Sequence, residues 1–141
     1  MESKEYLESY KRIAERLKVL TAEIERLRAE AESVSINLDG MPHGTGAADK
    51  TARLAIQLAE METNLQDEMS HLWSKRMEII NMLGKMKKHK HQTLLHKRYI
   101  ECKSWEVIAY EMGLSWRHCY RLHGSALNEF SEVMKNEHRS Y

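Results

Sequence analysis

Helix-breaking residues are clustered in this chain, and their distribution constrains the fold more than any other feature. The 141 residues include six glycines and one proline. Three of these seven, Gly40, Pro42 and Gly44, fall within five positions, with Gly46 just beyond. Long segments nearly free of breakers lie on both sides, so the expected fold is all-α. Two long helices should be joined by a loop over residues 36–48, where Asp39-Gly40 and its neighbours favour turns, and Asp49 is placed to cap the second helix.

The first long segment carries a seam. Tyr6, Tyr10, Ile13, Leu17, Leu20, Ile24, Leu27, Ala31 and Val34 recur in alternating steps of four and three, among Glu, Lys and Arg. That spacing marks a coiled-coil stripe, which needs a partner to cover it. The second segment answers with Leu54, Leu58, Met61, Leu65, Met69, Leu72, Ile79, Leu83 and Met86. Two successive steps of four, from 61 to 69, drift this stripe, and Trp73, Met77 and Ile80 widen it. Two helices of similar length joined by a loop predict a long antiparallel hairpin over residues 1–86. Such a hairpin buries little, so pairing with a second copy as a homodimer is expected.

Residues 104–130 read as a helix-turn-helix. Ser104 is a good N-cap and Glu106 suits the positive end of the helix dipole. Trp105, Ile108, Ala109 and Met112 share one face. Gly113 is suited to the left-handed conformation that ends a helix. Leu114 can plug the corner, and Ser115 caps a second helix after a turn of about three residues. On that second helix Cys119, Leu122 and Ala126 point inward. Arg117, Tyr120, Arg121 and Gly124 point outward, flanked by Trp116 and His118. A plain αα-hairpin with a solvated outer face would alternate in the same way, but small Ala109, turn Gly113 and capping Ser115 all sit at spacings that favour the DNA-reading motif. Residues 115–121 (Ser115, Trp116, Arg117, His118, Tyr120, Arg121) are then expected to face bases, with Lys103 and Ser104 at phosphates. The preceding basic run, Lys85, Lys87, Lys88 and Lys90, is either a phosphate-contacting arm or a solvated linker. The domain is expected over 87–130, with a frayed tail over 131–141.

Leu94-Leu95, Arg98-Tyr99 and the stretch over 104–130, with Ser115 leading to Ala126-Leu127, resemble the promoter-reading carboxy-terminal domain of bacterial sigma factors. Nearly the whole chain, including DGMPHGTGAADKT between the long helices, resembles the ArpU/RinA-like phage transcriptional regulators. This resemblance implies a phage-encoded regulator of transcription, an activator, acting on double-stranded DNA in the cytoplasm of a bacterial host. It also implies host RNA polymerase as a partner. Nothing in these 141 residues resembles the other domains of a primary sigma factor, so autonomous sigma activity is not expected.

Charge supports the same division. Residues 85–127 hold nine Lys/Arg against three Glu, a net +6, whereas residues 1–84 hold eleven Lys/Arg against fifteen Asp/Glu, a net −4. A basic third coinciding with the helix-turn-helix suits a nucleic-acid reader with an acidic assembly arm. No apolar run of about 18 residues is present, so no membrane span is expected. The amino-terminal MESKEYLE is unlike a signal peptide. Cys102 and Cys119 match no zinc spacing and read as reduced thiols. His89, His91 and His96 share no acidic or cysteine ligand, so no metal is expected. The Gly44/Gly46 pair lacks the GKS or GKT of a phosphate loop, so no cofactor is expected. No nucleophile is paired with a base and an orienting acid, so the chain does not read as an enzyme. Two other readings stay open: a phage small terminase subunit that marks viral DNA for packaging, and a helical assembly protein that binds no DNA.

Overall fold

The computed structural model describes residues 2–38 and 45–139, without the side chains of 34–38, 45–48 and 139. Its elements are α1 (Ser3–Leu38), α2 (Thr45–Gly84), α3 (His89–Leu95), a π-helical turn (His96–Ile100), α4 (Trp105–Met112) and α5 (Trp116–Arg139). The fold is all-α, with no strand among the described residues. The helices reach further than the breakers suggest. α1 continues through residues 36–38 and α2 starts at Thr45, so Gly46 is helical and Asp49 lies inside α2 rather than capping it. A helical glycine costs roughly 1 kcal/mol, which cooperative extension of a long helix can absorb. The turn signals at Asp39-Gly40, Pro42 and Gly44 lie outside the described residues.

The chain divides into two compact units that do not follow the expected boundaries at 86 and 130. One takes Ala14–His71, the other Met1–Ile13 with Leu72–Tyr141. In the first, Leu17 and Ile24 are buried, and Leu20, Leu27, Ala31, Leu54, Leu58, Met61 and Leu65 are half-buried. Arg16 pairs with Glu68 at 3.1 Å and Arg28 with Glu62 at 2.6 Å, so numbers rise on one helix as they fall on the other. Between Leu17 and Ala31 the seam of α1 therefore runs beside α2 of the same chain, with Leu17 and Ile24 buried and Leu20, Leu27 and Ala31 half-buried. Met69, where the stripe drifts, is 53% exposed.

In the second unit, the first turns of α1 enter a core shared with the C-terminal helices. Tyr6, Leu7 and Tyr10 pack with Ile79 and Leu83 of α2, Leu94 and Leu95 of α3, Ile108 of α4, and Ala126 and Phe130 of α5. The Tyr6 and Phe130 rings stack at 6.3 Å between centroids, and Ser3 Oγ donates to the carbonyl of Leu127 at 2.9 Å. Tyr6 and Tyr10 share the period of the hairpin seam but serve a different core. Trp73 and Met77 do not widen the buried face: they are 62% and 41% exposed, and only Ile80 packs in part. Nor does the tail fray at residue 131. α5 runs to Arg139, burying Val133 and seating Met134 against the core, while Glu137 pairs with Lys85.

Candidate nucleic-acid interface

The local grammar of residues 104–116 is realised residue by residue. Ser104 Oγ accepts the N–H of Val107 at 3.3 Å and Ser115 Oγ accepts that of His118 at 3.1 Å. Gly113 takes φ +66°, and the Leu114 N–H returns to the Ala109 carbonyl at 2.9 Å. Helix, three-residue turn and helix are thus fixed by two hydroxyl caps and one left-handed glycine. Ile108 and Ala109 are buried on α4, and Cys119 and Ala126 on α5. Arg117, His118 and Arg121 are exposed, as are Trp116 at 61% and Tyr120 at 77%. No carboxylate lies within ion-pair distance of Arg117 or Arg121 among the described residues. Both serine hydroxyls accept as caps, which leaves each O–H hydrogen able to donate to an external oxygen.

Behind this helix lies a small polar core. The Tyr99 hydroxyl and His123 Nε2 are 2.9 Å apart, and the Trp105 ring meets His123 edge-on at 4.6 Å. The Arg98 guanidinium sits 4.6 Å over Trp105 and donates from Nη1 to the Lys103 carbonyl at 3.0 Å. Burial, with the charges of Lys4 and Arg98, pushes the His123 imidazole down to about 4, so it is neutral at physiological pH. Burial raises the Tyr99 phenol to about 12. A cavity of about 130 Å³ opens here, with Trp116 and Tyr120 among its walls and Lys4 of α1 beside them. α3 passes directly into the wider π-helical turn at His96–Ile100, where the Glu101 N–H reaches the His96 carbonyl at 3.0 Å. The chain then reverses through Cys102 at φ +57°.

The expected phosphate-contacting residues fall into two groups. Lys103 is committed to Glu111, at 2.9 and 3.0 Å to its two oxygens, and Lys97 shares the same carboxylate at 3.1 Å. Hydrogen bonds from Lys103 and then Lys97 hold the Glu111 carboxyl below the usual range. Lys85 is paired with Glu137. Lys87, Lys88 and Lys90 are exposed, with no carboxylate within ion-pair distance among the described residues. The three histidines take separate partners: His91 with Glu129 at 2.8 Å, His96 with Glu101 at 3.3 Å and His89 with Thr93 at 3.4 Å. Sequence reasoning missed Tyr110, 87% exposed on α4, which an aromatic on a polar helix face could have signalled. It also missed Lys4 and Glu129, whose places follow from contacts across the chain and carry no local signal.

A family model described as a protein of unknown function, DUF722, matches residues 4–136. No curated protein and no solved structure matches the chain.

Proposed function

The chain belongs to the DUF722 family, whose description assigns no function, and from the geometry of α4 and α5 we propose that it is a sequence-specific DNA-binding regulator of transcription. The observation that carries this reading is the outward face of α5. Arg117, Tyr120 and Arg121 stand exposed within two turns of the Ser115 cap, and no carboxylate is paired with either arginine among the described residues. An exposed pair of unneutralised arginines beside an aromatic suits the donor and acceptor edges of a major groove. Lys87, Lys88 and Lys90, similarly unpaired, supply a sequence-independent electrostatic component. The resemblance to phage regulators and to the promoter-reading domain of sigma factors favours an activator of phage genes that meets host RNA polymerase. A homodimer through the helical hairpin completes the proposal, and it would double the reading heads. With Leu17 and Ile24 of the α1 seam buried within the chain, that contact falls to exposed apolar side chains of the hairpin such as Val19, Ile56 and Met69.

Selection from random duplexes, followed by footprinting on the best binders, tests the reading. Enrichment of a defined site upstream of a phage promoter is the expected outcome. Enrichment at a packaging site, together with ring oligomers in sedimentation, would favour the terminase reading. No binding to any duplex at low salt would leave a helical assembly protein.

A further inference from the structure

The basic run over residues 85–90, readable by composition as an arm or as a solvated linker, is held in place by carboxylates of α5. Glu129 Oε2 accepts the backbone N–H of Lys87 at 2.7 Å and that of Lys88 at 3.4 Å. Its other oxygen, Oε1, meets Nδ1 of His91 at 2.8 Å. Lys85, at the head of the run, is paired with Glu137, eight residues further along the same helix. The main chain of the run is therefore fastened while the side chains of Lys87, Lys88 and Lys90 stay exposed. Helical geometry places Glu129 roughly 12 Å along α5 from Arg121, and about 80° around the axis from Arg121 and about 120° from Arg117. The lysines are thus anchored to the flank of the reading helix and not to its reading face.

We propose that Glu129 is a positioning residue for nucleic acid: it pins the Lys87 and Lys88 amides so that the free ammonium groups of Lys87, Lys88 and Lys90 meet phosphates flanking the groove that Arg117 and Arg121 enter. This rests on the DNA-binding reading above. A lysine run already fastened loses less conformational freedom on binding than a loose one, so more of its electrostatic attraction survives as affinity. A carboxylate near a polyanion also repels it. The two effects have opposite signs, and that opposition makes the role testable.

The test compares the full chain with Glu129→Ala and Glu129→Gln, measuring binding to a specific and a scrambled duplex over a salt series, alongside amide hydrogen exchange at Lys87 and Lys88. The Ala variant is expected to lose protection at both amides and to bind both duplexes equally more weakly, by about three- to tenfold, with a shallower salt slope. Gln keeps an acceptor oxygen and should fall between Ala and the wild type. If both variants bind more tightly, Glu129 is only a repelling charge. If the amides stay protected and affinity is unchanged, it pins nothing that DNA uses. A changed ratio of specific to scrambled binding together with a lowered Tm would reduce it to a fold-stabilising contact. These three results overturn the positioning role alone, whereas a wild type that binds no duplex overturns it together with the DNA-binding reading.

Discussion

Arg117 and Arg121 lie one helical turn apart on a face that carries no carboxylate partner for them among the described residues. A guanidinium can take both major-groove acceptors of a guanine together, which an ammonium cannot do as well. Changing either arginine to Lys or Ala should therefore cost about 1–3 kcal/mol on the specific duplex and much less on a scrambled one. Titration of both duplexes at one salt concentration decides it, and equal losses would assign the arginines to phosphates. His123 supports a second prediction. Its imidazole is held down to about 4 against an ordinary value of 6.5. The unfolded chain therefore binds more protons than the folded one between those values, and stability rises with pH across that window. Lowering the pH from 6.5 to about 4 should remove on the order of 3 kcal/mol at most through this residue. Denaturant midpoints across this range should fall less steeply for His123→Gln than for the wild type, and parallel slopes would place His123 in solvent. The outward arginines were legible because helical period alone orients them. The state of His123 was not, because its burial against Tyr99 and Trp105 and the nearby charges of Lys4 and Arg98 are brought together by the fold.

At the scale of elements, the short turn between α4 and α5 depends on one backbone conformation. A Cβ added at Gly113 would meet nothing within 4 Å, so only its φ of +66° resists substitution. Gly113→Ala should then destabilise the fold by about 1–2 kcal/mol, read as a lowered denaturant midpoint with an unchanged m-value. The basic run gives another element-level prediction. Lys85 is neutralised by Glu137, whereas Lys87, Lys88 and Lys90 are not. Changing those three to Gln should flatten the logarithmic salt dependence of DNA binding by up to about 0.9 per lost phosphate contact. Lys85→Gln should leave the slope nearly unchanged, and equal effects at all four positions would refute this division. Caps and glycine made α4, the turn and the start of α5 readable. The π-helical turn and the extension of α5 to Arg139 were not readable, because they depend on burying Tyr99, Ile100 and Val133 in a core built with distant helices.

For the whole molecule, the expected consequence is that residues 87–130 do not fold by themselves. Leu7 of α1 is fully buried among the C-terminal helices, and Tyr6 and Tyr10 flank it in the same core. A fragment beginning at residue 87 is expected to show no cooperative thermal transition. Leu7→Ala in the full chain should cost about 2–5 kcal/mol and weaken DNA binding only as far as it unfolds the protein. A fragment that melts cooperatively would show that α1 merely rests on this unit.

What the amino-acid order determined directly is what acts over a few residues: the helical class, the apolar stripes of the two long helices, and the caps and glycine around residues 104–116. Each depends on side-chain period or on a hydrogen bond spanning three or four positions. Tertiary structure decided which partner covered each stripe. It split one unbroken 4-3 seam between two cores, sending Tyr6 and Tyr10 to the C-terminal helices and Leu17 and Ile24 to the hairpin. It also left Lys87, Lys88 and Lys90 free while committing Lys85 and Lys103 to carboxylates 52 and 8 positions away. A periodic stripe specifies that a face will be buried but carries no record of what will bury it. A lysine likewise declares its charge without naming the carboxylate that will neutralise it, because both choices are made by packing between separate elements of the fold.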